Sequence, residues 1–84
     1  MKKIYLLWVK VTDADNCTYN DIVVASEKEN SIDWLHKQLS CLSMNDALLY
    51  MVKNKFKIPQ YVSFCYDKNL IKSMEFYVSS TAVI

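Results

Sequence analysis

The chain has no glycine and no arginine, and only one proline and one histidine. Without glycine there can be no phosphate-cradling loop of the Walker or Rossmann kind, because those loops need a residue that lets the backbone approach the phosphate closely. Tight turns must instead use Asn, Asp and Ser to reach left-handed backbone conformations. Without arginine the chain lacks the planar fork that binds phosphate or guanine through two bonds at once. Ten basic residues against nine acidic ones leave a net charge of +1. That balance gives no long-range pull on nucleic acid and no acidic surface that would mimic DNA. The longest apolar run, Ile4 to Val9, is six residues, too short to span a bilayer or form a signal segment, so a soluble, cytosolic chain is expected. The three cysteines, Cys17, Cys41 and Cys65, show no CxxC or Cys/His metal spacing. They read as reduced thiols, and neither a metal nor a cofactor is expected.

What is present is an apolar, aromatic-rich chain. Its 84 residues fit one domain spanning residues 1–84, able to bury roughly 60–65% of its unfolded surface. Hydrophobic residues make up 52% of it, which argues for a folded core over disorder.

Lys2 to Thr12 reads as a strand that is apolar on both faces, with Tyr5, Leu7, Val9 and Val11 on one side and Ile4, Leu6 and Trp8 on the other. A strand of that kind belongs in the interior of a sheet. Asp21 to Ser26 reads as a second strand, paired antiparallel with the first. Ser26-Glu-Lys-Glu29 has capping-box form and predicts a helix from about Glu27 to Cys41, with Ile32, Leu35 and Leu39 as its apolar face. Ser43 caps a further predicted helix whose stripe, Met44, Ala47, Leu48, Met51 and Val52, runs to about Lys55 before Pro59 closes the region. Gln60 to Tyr66 and Glu75 to Val83 both alternate and read as strands, joined through Asp67 to Met74 by a loop or one helical turn. The expected fold is therefore α+β: a four-stranded antiparallel sheet in the chain order β-β-α-α-β-β, with both helices on one face.

Asp13-Ala-Asp-Asn-Cys-Thr-Tyr-Asn-Asp21 gathers three carboxylates and two Asn side chains between the first two strands. An EF-hand calcium loop needs Gly at its sixth position and Glu at its twelfth; counted from Asp13, these are Thr18 and Val24. The loop therefore reads as a polar hairpin turn that presents Tyr19. His36 has Asp33 three residues before it and Lys37 beside it, the setting of a surface residue. A catalytic partnership with Cys41 or Cys65 has no local signature, so no enzyme is expected.

Two binding surfaces remain. Two helices cannot cover both sides of a four-stranded sheet, so one face stays open. It would carry either Ile4, Leu6 and Trp8 or Tyr5, Leu7 and Val9. Tyr and Trp dominate binding hot spots, and the expected partner-binding residues are Tyr5, Trp8 and Tyr19, followed by Tyr61 and Tyr77. A homodimer is a competing use of the same face. Lys53, Lys55 and Lys57 form a basic tip around Phe56, the alternative site for nucleic acid.

Lys3, Tyr5, Leu6, Tyr19, Asp21, Val23, Val24, Ala25, Ser26 and Glu27 form a pattern that resembles the opening third of short phage-encoded proteins of unknown function. The resemblance implies a phage or mobile-element origin. Proteins of that origin often inhibit host defence or host enzymes, anti-CRISPR inhibitors among them, so it also implies a host protein, such as a CRISPR effector, as partner.

Overall fold

The structure, a computed structural model, describes residues 2–83. Its elements are β1 (Lys2–Asp13), β2 (Thr18–Ser26), α1 (Glu29–Ser40), α2 (Met44–Lys53), α3 (Gln60–Asp67) and β3 (Ile71–Val83). The expected four-stranded sheet is corrected to three strands in the order β2-β1-β3, all antiparallel, and the chain order to β-β-α-α-α-β.

β1 is central, as its two apolar faces require. Leu7, Val9 and Val11 are buried on one face and meet Val78, Phe76 and Met74 across β3. Between Leu7↔Val24 and Trp8↔Ile22 the register skips, leaving Val23 without a partner. The extra residue turns Val23 as well as Val24 into the core. Ile32 and Leu39 of α1, Ala47, Leu48 and Met51 of α2, and Val62 of α3 close the core from one side. All three helices therefore lie on the same face of the sheet.

The segment expected to be a strand from Gln60 to Tyr66 is instead α3, all but its last residue. Short apolar runs fit both periods, and here the helical one prevails. Tyr61, Val62 and Cys65 fall on one helical face and turn inward, whereas Ser63, Phe64 and Tyr66 are exposed. Pro59 does not end a helix; it occupies the N-cap of this one, where its missing N–H costs nothing. The connection expected over Asp67 to Met74 shrinks accordingly, because β3 already begins at Ile71.

The expected capping box at Ser26 does not form. Ser26 still pairs with Tyr5 in the sheet, so α1 starts later, behind Lys28, and Ser26 Oγ accepts the Lys28 N–H at 3.0 Å. Ser43 does cap α2, accepting the Asp46 N–H at 3.2 Å.

Among the described residues, three supply the left-handed backbone that glycine would ordinarily provide: Asn16 (φ 63°), Lys55 (φ 59°) and Asn69 (φ 56°). The two Asn follow expectation, and Lys55 does not. It ends α2 in a Schellman arrangement, with Phe56 N–H donating to Met51 O at 2.9 Å and Lys55 N–H to Val52 O at 3.1 Å. A β-carbon is unfavourable there. Lys55→Gly should therefore stabilise the fold by about 0.5–1 kcal/mol, read as a higher urea midpoint with an unchanged slope.

Candidate functional site

The helices cover one side of the sheet and leave the other open. On the open side β1 places Ile4, Leu6, Trp8, Lys10 and Thr12, all half-buried. β2 adds Ile22 and Ala25, and β3 adds Glu75, Tyr77, Ser79 and Thr81, all exposed. No residue on this side belongs to the buried core. With strands ~4.8 Å apart and a rise of ~3.3 Å per residue, the face measures roughly 400 Å². Its apolar members, Ile4, Leu6, Trp8, Ile22, Ala25 and Tyr77, are neighbours in the register, with Lys10, Thr12, Glu75, Ser79 and Thr81 around them, and apolar patches with a polar rim are often functional.

Its centre is ordered by side chains alone. Trp8 lies between Ile22 and Tyr77 in the register. The Trp8 and Tyr77 rings are parallel, with centroids 5.9 Å apart. Trp8 Nε1–H donates to Ser79 Oγ at 2.8 Å, and Tyr77 O–H donates to Asn20 Oδ1 at 3.0 Å. These two bonds hold the aromatic rings in place before any partner arrives, which lowers the entropy lost on binding.

Of the five aromatic residues expected to bind a partner, only Trp8 and Tyr77 meet on the open face. Tyr5 has the opposite parity to Trp8 on one strand, so it must face the other way; it packs against the core on the helix side. Burial, with the Glu29 and Asp33 carboxylates, holds its hydroxyl above the ordinary tyrosine pKa. Tyr19 is also on the helix side, opposite Val11, and its ring packs on Tyr61 with centroids 5.1 Å apart. The carboxylate of Asp13 is the main cause of its raised pKa.

Tyr61, placed on a helix and not on the sheet, directs its hydroxyl into a buried position with no hydrogen-bond partner among the described residues. Burial first, then the Asp21 carboxylate, raises its pKa. Tyr61→Phe removes an unpaired buried hydroxyl and leaves the ring packing, so the variant should match or exceed the parent in stability, by up to about 1 kcal/mol. The folded chain keeps these tyrosine protons at a pH where the unfolded chain sheds them. Stability is therefore intact below pH ~10 and falls as pH rises beyond it, and Tyr61→Phe should blunt that fall.

The acidic loop is a turn. Asp13 Oδ1 accepts the backbone N–H groups of Asp15 and Cys17, each at 2.9 Å, and Asn16 takes the left-handed position. Lys72 Nζ donates to Asn16 Oδ1 at 2.7 Å and ties the turn to β3. His36 is half-buried, and its Nε2–H donates to the backbone carbonyl of Phe76 at 3.0 Å.

Lys53, Lys55 and Lys57 are exposed at the end of α2, in the helix layer and so on the other side of the sheet from Trp8 and Tyr77. An open cleft of about 530 Å³ is lined by Trp34, Leu35, Tyr50 and Phe56, and by Asn54 between Lys53 and Lys55 in the chain. Trp34 is 55% exposed. Sequence reasoning passed over it, although its position off the Ile32/Leu35/Leu39 stripe marks it as outward-facing. A second apolar hollow, about 290 Å³, lies between α2 and α3 against Leu48, Leu49, Val52, Ile58 and Tyr66. Comparison with protein-family models, curated proteins and solved structures returned no significant match.

Proposed function

We propose that this chain is a small non-enzymatic binding protein that acts by covering a surface of another protein with its open sheet face. One observation carries the reading: Trp8, stacked on Tyr77 and flanked by Ile22 and Leu6, sits at the centre of an uncovered apolar face. Large aromatic side chains in such positions supply most of the energy in protein interfaces. Two of the groups considered for catalysis are engaged in structure: the His36 ring holds a backbone carbonyl and the Asp13 carboxylate holds a turn. The resemblance of the first third to short phage-encoded proteins supports a host protein, such as a CRISPR effector, as the target, met in the host cytoplasm. No helix among the described residues is long and apolar enough to cross a membrane.

The test is capture from host lysate on the immobilised chain, compared with Trp8→Ala on the open face and Phe64→Ala on the exposed side of α3. A protein held by the parent and by Phe64→Ala but lost by Trp8→Ala supports the reading. Equal capture by all three overturns it.

A second reading has its own support. The cleft lined by Trp34, Tyr50 and Phe56 also includes Asn54, so two of its lining residues alternate along the chain with the three lysines, and aromatic rings together with cations are what single-stranded nucleic acid binds. If Lys53, Lys55 and Lys57 each neutralise one phosphate, the logarithm of affinity for an oligonucleotide should fall against the logarithm of salt with a slope of about −2. No retention at low salt removes this reading.

A further inference from the structure

The sheet has two edges, and they are protected unequally. On the β2 edge, the irregularity at Val23 breaks the ladder and the Asp21 carboxylate accepts the N–H of Ile22 at 2.8 Å. Beyond the end of β2, the free side of β1 carries Lys2 and Lys3. Bulges and charges of this kind are how sheet edges avoid pairing with other chains. The β3 edge has neither over most of its length. β3 pairs regularly with β1 from Lys2↔Val83 to Thr12↔Ser73, and from Phe76 to Val83 it contains no charged residue and no proline. Ser79, Ser80, Thr81 and Ala82 are exposed on both faces, so no helix overhangs them.

The phase of the free backbone groups follows from two side-chain contacts. In an antiparallel pair, opposed residues alternate between exchanging both backbone bonds and exchanging neither. The Ile22 N–H is turned to its neighbouring side chain, and the Phe76 carbonyl is turned to His36. Both groups therefore point away from β1, and Phe76↔Val9 and Ile22↔Trp8 are pairs of the second kind. On β3 the outward groups then belong to Phe76, Val78, Ser80 and Ala82, and α1 guards only the first of these, through His36.

We propose that β3 pairs antiparallel with β3 of a second copy of this chain, about a two-fold axis at Ser80. The uncharged segment is its own complement there. Val78 meets Ala82, Ser79 meets Thr81 and Ser80 meets itself, while Glu75, the nearest charge on β3, stays outside the pairing. Opposed Ser and Thr side chains on one face favour such a pair. A two-fold axis perpendicular to the sheet keeps both open faces on the same side. The face of roughly 400 Å² becomes one of roughly 800 Å², the size each partner contributes to a stable protein interface. The pairing rests on the edge alone and does not depend on what the open face binds.

The experiment measures mass against concentration by analytical ultracentrifugation, with amide exchange read in parallel. The parent chain should double in mass as concentration rises, and the Val78, Ser80 and Ala82 amides should exchange more slowly in step. Ser80→Pro removes a donor that points away from β1, so the monomer keeps its own ladder. The dimer should weaken on the order of a hundredfold, because each substitution acts twice across the axis. Thr81→Lys, an exposed change that leaves the backbone untouched, should weaken it as well. Ile22→Ser, on the open face but on the far strand, should leave it intact. A parent chain that is monomeric at millimolar concentration overturns the proposal. So does a dimer that survives both Ser80→Pro and Thr81→Lys, or one that is lost in Ile22→Ser and retained in Ser80→Pro.

Discussion

Leu7→Ala should lower the unfolding free energy by about 3–4 kcal/mol. Leu7 is fully buried at the centre of the middle strand, between Val24 and Val78. Truncating it removes about three methylene equivalents of transfer energy and leaves a cavity in a sheet that cannot collapse around it, because β1 is bonded on both sides. A domain of this length has a total stability of only about 4–12 kcal/mol, so the loss is a large share of the whole. Urea unfolding should show the midpoint falling sharply with the slope unchanged. A loss below 1 kcal/mol would mean that the helix layer does not pack on β1 as described.

Trp8→Ala, one residue away, should behave in the opposite manner: a modest loss of stability and a large loss of binding. Trp8 is half-buried, and beyond the area its ring buries, its contributions to the fold are the ring stack on Tyr77 and the bond to Ser79. Together these amount to about 1–2 kcal/mol. If the open face is the recognition surface proposed above, truncating Trp8 should weaken partner binding by at least about 2 kcal/mol, or roughly thirtyfold. The contrast between adjacent residues is the sharp form of the claim. Strand parity sends Leu7 to the core and Trp8 to the open face, so stability and binding should be separable by a single step along the chain. If Trp8→Ala unfolds the protein as readily as Leu7→Ala does, the face is structural.

Much of this arrangement is legible in the sequence. A strand apolar on both sides had to be central, and the Leu35/Leu39 and Ala47/Leu48/Met51 spacings had to be helices packed on one face. The Asp/Asn loop had to turn without glycine, and Asn16 and Asn69 take two of the three left-handed positions. What failed did so for physical reasons. Seven residues from Gln60 to Tyr66 are too few to separate a two-residue period from a 3.6-residue one, and the burial of Tyr61, Val62 and Cys65 decided it. With that segment on a helix, Tyr61 left the sheet. Tyr5 and Trp8 were grouped by residue type, although alternation along one strand must separate them. Lys55 in a left-handed cap has no signature of its own; it is set by where Phe56 turns back to close α2. The unprotected β3 edge was visible as an uncharged alternating run, but its meaning depended on its position in the sheet.

The central claim is that recognition uses the open face, and the two tryptophans offer a direct reading of it. Trp8 lies on that face, and Trp34 is exposed on α1 in the helix layer. Oxidative footprinting of the chain, free and bound to its captured partner, should show Trp8 strongly protected in the complex while Trp34 keeps its free rate. Protection of Trp34 with Trp8 unchanged would contradict it.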